Sequence, residues 1–396
     1  MCFMLKSSGE NSKVMPLSKQ KLLVLSFTDH YTDPRVFRQI EALHKDFYVI
    51  TAGTSTGTHQ KTEHVQLTKE RHTFVEKVTM AIKLKARFYE TTYWGQQVVK
   101  MALKKLDTVE VDAIVANDLE TLPLALKLAR DKKIKLYFDA HEYSPKEFDG
   151  NFMFDYFLAD YHHYLCKTYL PSVDVMTTVC QGIADEYKKV YGVNCSVLTN
   201  TPEYADLTPQ EANSKHIKII HHGGINASRK IENMIQLVGE KLDKRFQMDL
   251  MLVNNDSALM SSLQAWVDKY PNVRIVDPVP MRDIAQVINK YDIGLYLLPS
   301  ESFNNNLALP NKIFEFIQGR LAVAIWPSIE MKRIVDECQL GLVADDSTID
   351  AMAEILNNLT VEDLNRFKQN SHKAAAIYNA ENNAEQLKLI LSRLCQ

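Results

Sequence analysis

Six cysteines in 396 residues form no Cys-x-x-Cys pair and join no histidine at zinc-ligand spacing. The chain therefore offers neither a disulfide framework nor a closed zinc site. Buried thiols in a reducing compartment account for Cys2, Cys166, Cys180, Cys195, Cys338 and Cys395. A surplus of one charge is lacking too: 46 Lys and Arg face 49 Asp and Glu, a net charge of −3. That excludes the broad basic surplus of a nucleic-acid binder. No apolar run approaches the roughly 18–20 residues of a membrane span. The apolar start "MCFML" is too short for a signal peptide, so a cytoplasmic protein is expected, with a polar leader over residues 1–20. Neither G-x-G-x-x-G nor G-x-x-x-x-G-K-[ST] occurs, which disfavours dinucleotide folds and P-loop NTPases. Asp-x-Asp is missing as well, and metal independence is the expectation.

What is present alternates. "KLLVLSF" is short and continuously apolar, as a strand buried on both faces should be. In "TDHYTDPRVFRQIEALHKDF", Thr32 or Asp33 can cap a helix, Pro34 suits its first turn, and Val36, Ile40 and Leu43 share a face. "FYVITAG" completes a βαβ unit. The alternation continues through "AIVAND", "KLYFDAHEY", "DVMTTVC" and "CSVLTN" to Asn200. The polar stretch "TPEYADLTPQEANSKH" reads as a linker. A second series follows: "IKIIHHGG", "FQMDLMLV", "VRIVDPV", "DIGLYLLP", "LAVAIW" and "GLVA", separated by helices. Two doubly wound parallel sheets are implied. The expected domains are 21–200 and 201–375, with a C-terminal helix at 376–396 that could pack back on the first domain.

One segment breaks the pattern. Residues 71–106 are helical and locally basic, eight Lys and Arg against Glu76 and Glu90, with Phe74, Phe88, Tyr89, Tyr93 and Trp94 interleaved. A solvated helix face covering the sheet and a basic groove or anionic membrane contact both remain open.

In open α/β sheets, ligands bind beyond the carboxyl ends of the strands. Four such ends are polar. "SFTDHYTDPR" places Asp33 and Arg35 at a helix start. "FDAHEYSP" clusters Asp139, His141 and Glu142, with Asp118 ending the preceding strand; histidine and carboxylates can exchange protons or accept hydroxyl hydrogens. "HHGGINASRKIEN" has two glycines that let a backbone approach a ligand, with Ser228 available as a cap. Arg229 and Lys230 then oppose the dipole of the next helix, an arrangement suited to a bound anion. "LLPSESFNNNLALPNKIFEF" runs from a polar loop into a helix carrying Asn311, Lys312 and Glu315. A carboxylate there could accept bonds from vicinal hydroxyls.

These stretches together resemble the GT-B glycosyltransferases, specifically family 4 of the retaining nucleotide-sugar enzymes. "DPRVFRQIEAL", "ANDLETLPLALKLAR", "FDAHEYSP", "VDVMTTVCQGIADEY", "LTNTP", "YDIGLYLLP" and "PNKIFEFIQG" carry the resemblance in order over roughly Lys21 to Asn379. It implies two Rossmann-like domains facing across a cleft, with an activated sugar held mostly by the second. The resemblance assigns the ribose hydroxyls to Glu315, and the diphosphate to Arg229, with Lys230 as a second cation. Gly223 and Gly224 lie close to the phosphates, and Asp277 and Val279 line the base pocket with Pro278 between them. The loop Ser300 to Asn306, including Asn305 and Asn306, together with Asn311 and Lys312, faces sugar and diphosphate. His141 lies near the reacting face of the sugar. Arg229, Lys312 and His141 are the expected catalytic residues.

Two departures stand out. Many members carry two glutamates separated by seven residues, and the first position here is Leu307. The glycine-adjacent arginine of the family is Gly224. The implied reaction transfers a sugar, with retention, from a UDP- or GDP-linked donor to an acceptor hydroxyl, without metal or other cofactor. The setting is polysaccharide or glycoconjugate assembly. The implied partners are the donor and a glycan or lipid-linked glycan, with a peripheral contact on the inner face of the cytoplasmic membrane through residues 71–106. A nucleotide-sugar epimerase, drawing on Asp118, Asp139, Glu142 and His141, and a non-catalytic sugar-nucleotide binder on the same fold stay open.

Overall fold

The structure, a computed structural model, describes residues 19–30, 32–55, 62–68, 73–300 and 302–396. Most of the expected leader, Arg71 of the basic segment and Glu301 of the polar loop lie outside the described residues.

Thirteen strands among the described residues form two sheets, every pairing within them parallel. The first holds β1 (Lys21–Leu25), β2 (Tyr48–Gly53), β3 (Glu63–Gln66), β4 (Ala113–Asn117), β5 (Lys135–Ala140), β6 (Val175–Thr178) and β7 (Ser196–Val197), in the order β3-β2-β1-β4-β5-β6-β7. The second holds β8 (Ile217–Gly224), β9 (Phe246–Val253), β10 (Val273–Val276), β11 (Ile293–Tyr296), β12 (Ala322–Ile325) and β13 (Gly341–Val343), in the order β10-β9-β8-β11-β12-β13. Both orders reverse once, at β1/β4 and at β8/β11. Crevices open at such reversals because the flanking helices leave to opposite faces. The central strands are apolar throughout because helices cover both faces: Leu22 to Leu25 and Ala113 to Ala116 are fully buried.

Local chemistry fixes the helices that reach the crevices. Asp33 caps the helix Pro34–Leu43, its Oδ1 accepting from the amides of Arg35 and Val36 at 3.1 and 3.2 Å. The helix Asn311–Gln318 begins after Pro310 and ends at Gly319. It is buried from Lys312 to Gln318, so both its faces pack into the second half. The linker is tied to the end of this helix. Gln318 Oε1 accepts from the Ala205 amide at 2.9 Å, and the fully buried Arg320 donates to the Ala205 carbonyl at 2.5 Å.

The two halves also meet directly at the base of the cleft. Glu330 accepts from the Gly182 amide at 2.7 Å, and the Cys180 thiol donates to the Leu307 carbonyl at 3.3 Å. The final helix, Ala380–Leu394, crosses back to the first sheet. Its Leu387 and Leu391 join Leu22, Val24, Val36 and Leu43 in one apolar cluster.

The basic segment is three helices, Phe74–Lys85, Tyr89–Gly95 and Gln97–Leu106. Arg87, with φ of 59°, breaks the first from the second. Among the described residues, no helix is long and apolar enough to cross a membrane.

Candidate active site

The carboxyl ends of β1, β4 and β5 face those of β8 and β11 across a cleft of about 1270 Å³. Pockets for one small ligand run to about 300–1,000 Å³, so this cleft has room for two substrates.

On the first half, Arg35 organises the floor. Its guanidinium donates to both Asp118 oxygens at 2.7 and 2.8 Å and to Asp139 Oδ2 at 3.2 Å. Asp139 also accepts from Thr177 Oγ1 at 3.1 Å. Burial alone would lower the Arg35 guanidinium, but Asp118 and Asp139 together hold it above its usual value. Burial likewise raises both carboxyls, with Arg35 opposing. Arg35 and the two aspartates are thus a satisfied ion-pair network rather than free acids or bases. His141 follows β5 and lines the cleft beside Glu142. Burial, then the charge of Arg35, pushes its imidazole down to about 3. The ring is 37% exposed, so water in the open cleft offsets part of that effect.

On the second half, the turn after β8 and the helix Asn311–Gln318 converge. Gly223 takes φ of +120°, and a side chain there would meet Lys312 Nζ at 2.8 Å. Only glycine satisfies both the backbone and the close approach. Lys312 and Glu315 are 8% and 7% exposed, lying one above the other on the helix. Burial, then the charge of Arg229, pushes the Lys312 ammonium down to about 8. Burial raises the Glu315 carboxyl, with Lys312 and Arg38 opposing. No side chain caps this helix, so its first amides remain open toward the cleft. Arg229 turns back over the glycines, donating to the Gly224 carbonyl at 2.6 Å. Its guanidinium therefore sits beside the very position where the resembled family carries an arginine.

Of the residues singled out from sequence, His141, Gly223, Gly224, Arg229, Val279, Asn305, Asn311, Lys312 and Glu315 line one cleft. Lys230, Asp277 and Asn306 do not line it. Lys230 takes a left-handed φ of 45° and precedes the helix Ile231–Gln236 rather than lying in its first turn. Ser228 does not cap that helix, which has no side-chain cap; Asn226 caps the short turn Ala227–Arg229 before it, its side chain accepting from the Ser228 amide. Leu307 lines the cleft and packs against Gly182 of the first half. Three contributors were not legible. His222 Nε2 lies 3.5 Å from Glu315 Oε2. Tyr296, at the end of β11, has Lys312 Nζ 5.1 Å from its ring centre. Asn255 lines the wall beyond β9. Tyr296 ends a strand, Asn255 follows one and His222 lies two residues before the end of β8, and nearness to a strand end is the one signal that could have found them. Among the described residues, no group of three or more His, Cys, Asp or Glu could hold a metal ion.

The architecture has close counterparts among solved structures. Sucrose-phosphate synthase of Thermosynechococcus elongatus superposes with a TM-score of 0.70 at 11% identity, over 95% of this chain and 99% of that one. HepE of Anabaena, solved with UDP and glucose, gives 0.66 at 12% identity, over 94% and 100%. The trehalose-6-phosphate synthase of Burkholderia multivorans gives 0.67 at 11%, over 96% and 99%. The fold is GT-B. These structural neighbours are GT-B glycosyltransferases. No family model matches the sequence, and no curated protein matches it. In this GT-B chain, as in the fold generally, two parallel-sheet halves face one another across the cleft just described.

The depressed Lys312 ammonium sets a pH dependence for anions bound there. A diphosphate bound there would favour the protonated form and restore its charge, so its affinity should be full below about 8. Above it, affinity falls, by up to about tenfold per pH unit, until the bound-state pKa is passed. Titrations of UDP at pH 7 and pH 9.5 check this: binding should be weaker at the higher pH, and Lys312→Met should flatten the profile.

Proposed function

We propose that the protein is a glycosyltransferase that moves a sugar from a nucleoside-diphosphate sugar to an acceptor hydroxyl. The observation that carries this is the convergence of Gly223, Lys312, Arg229 and Glu315 at one uncapped helix start, within a cleft large enough for donor and acceptor. Glu315 would accept the ribose hydroxyls. Lys312, Arg229 and the open amides at Asn311 would meet the charge that builds on the departing diphosphate. Val279, Met281 and Ile284 would flank the base, and Ser302, Asn304 and Asn305 the sugar. HepE was solved with UDP-glucose, which favours a UDP-linked donor here.

We further propose net retention, in polysaccharide or glycoconjugate assembly. Burial and the charge of Arg35 weaken His141 as a base, and Asp118 and Asp139 are engaged by Arg35. The leaving phosphate oxygen is then the proton acceptor: the acceptor O–H breaks as its oxygen bonds the anomeric carbon, and the departing phosphate takes the proton on the same face. The same engagement of the aspartates removes two of the acid/base groups an epimerase would use. Closure of the halves over the cleft would limit hydrolysis.

Parallel titrations of UDP, GDP and ADP on the protein and on Glu315→Ala test the reading. One nucleotide should bind, and the variant should lose about 1–3 kcal/mol, as expected for hydrogen bonds to a charged group. Product analysis of the matching donor sugar without acceptor should show slow hydrolysis and no epimer. No binding to any of the three, or binding indifferent to Glu315, would sink the assignment.

A further inference from the structure

Charge divides the cleft between its two walls. Among the lining residues of the second half, Arg229 and Lys312 stand against Glu315. Among those of the first half, Asp33, Asp118, Glu120, Glu142 and Glu147 stand against Arg35 alone. The proposed donor accounts for the basic wall and leaves the acidic one without a task. Two of the five carboxylates are occupied: Asp33 caps its helix, and Asp118 takes the Arg35 guanidinium. The other three have no cationic side chain paired with them among the described residues. Lys146, next to Glu147 in the chain, turns its Nζ to the Phe303 ring, 4.3 Å from the centre. The His141 ring lies 3.8 Å from Glu142, but burial and Arg35 oppose its ionisation.

The three carboxylates feel one another. Burial, then the charges of Glu120, Glu142 and Asp118, pushes the Glu147 carboxyl up to about 8. Burial, then Asp118, raises Glu120 and Glu142. Such a gathering is unfavourable until a cation arrives. A fully buried side chain on the same wall has a matching need. Asn117 ends β4 and lines the cleft. Its amide nitrogen donates to Gln39 Oε1 at 2.9 Å, while its Oδ1 has no partner. The nitrogen arm is spent on Gln39, so the oxygen is the arm left for the cleft. Buried polar groups are rarely left so. The unmet carboxylates and the orphaned amide oxygen are all acceptors, and their complement is a ligand rich in N–H donors and positive charge.

We propose that this wall binds the ammonium of an amine-bearing sugar, an acceptor whose nitrogen meets Glu142 and Glu147 while one of its hydroxyls faces the donor. A metal ion suits the wall less well, since no three carboxylates or histidines among the described residues come together as its ligands. An ammonium needs no such convergence, because its three hydrogens point apart. Phe148, exposed beside Glu147 and lining the same wall, adds a ring face that a cation can meet. A phosphate or carboxylate on the acceptor would be repelled here. That the ligand is an acceptor rests on the proposed function; the preference for a cation does not.

Calorimetric titrations of the full chain at pH 7, with UDP present, test it. The β-1,4-linked disaccharide of glucosamine should bind about tenfold or more tightly than its N-acetylated form or cellobiose. Glucose 6-phosphate should bind more weakly than any of them. In Glu120→Gln/Glu142→Gln/Glu147→Gln the preference for the amine should vanish. UDP affinity should be no lower there than in the parent, since the change removes only charges that repel an anion, and a melting curve should show the variant folded. Equal binding of the amine and its N-acetylated form, tighter binding of glucose 6-phosphate, no binding of the amine, or a preference that survives in the variant would overturn the proposal. So would magnesium ion binding this wall more tightly than the disaccharide does. Failure of UDP to bind the parent protein would count against the donor site and leave the amine preference standing.

Discussion

Lys312→Met should lower turnover of the donor by about 10²–10³-fold, the loss typical when one preorganised donor to a developing charge is removed. Its ammonium is buried, close to the turn at Gly223, and on the same helix turn as Glu315. The fold should not suffer. Burial already disfavours the charged form, pushing the group down to about 8. Because the folded chain holds that proton less tightly than the unfolded one, stability rises with pH between about 8 and about 10.4. Removing the cation lifts that cost but takes a compensating charge from the buried Glu315, so the thermal transition should change little. Single-turnover release of the nucleoside diphosphate, beside a melting curve at pH 7, checks both. Lys312→Arg should restore little, because the planar guanidinium does not fit the space above Gly223. Turnover within a few-fold of the parent would remove Lys312 from the machinery.

Arg35→Met should do the reverse, costing about 3 kcal/mol of stability because it strands the buried Asp139 carboxylate and leaves the half-buried Asp118 unpaired. Asp118 and Asp139 both lie against the guanidinium, and burial already raises each carboxyl. The sign of the pH effect follows: without Arg35, those carboxylates are more readily protonated, so the variant should lose least stability at low pH and most near neutrality. Denaturant titrations at pH 5 and pH 7.5 measure this. Neutralising the stranded groups with Asp118→Asn and Asp139→Asn should return part of the loss, a coupling visible in a double-mutant cycle. If Arg35→Met unfolds at the parent's midpoint, the network carries no stability and its carboxylates regain standing as candidate acids or bases.

The contrast between these two residues shows what a sequence conveys. The helix bearing Lys312 and Glu315 was legible because its boundaries are local: Pro310 opens it, Gly319 ends it, and polar residues amid Ile313, Phe314, Phe316 and Ile317 mark a site rather than a plain core face. The interior strands were legible because a parallel sheet covered on both faces must be continuously apolar, whereas the edge strand β3, with its polar sequence EHVQ, was not. Arg35 read equally well as a local helix pair, because its true partners stand 83 and 104 residues away. Only the adjacency of β1, β4 and β5 brings them together. The basic segment resisted for another reason: its breaks, at Arg87 and Gln96, carry no proline, and the one glycine near them, Gly95, ends a helix without a left-handed turn. His222 escaped notice because the two glycines beside it dominate the stretch; its role depends on a helix some ninety residues later in the chain.

A crystal soaked with UDP, or with the nucleotide that the titration selects, tests the central claim most directly. The account predicts the ribose hydroxyls within hydrogen-bond distance of Glu315, and the diphosphate between Gly223, Lys312 and the amide of Asn311. A nucleotide bound elsewhere, or in the cleft with its ribose away from Glu315, would contradict it.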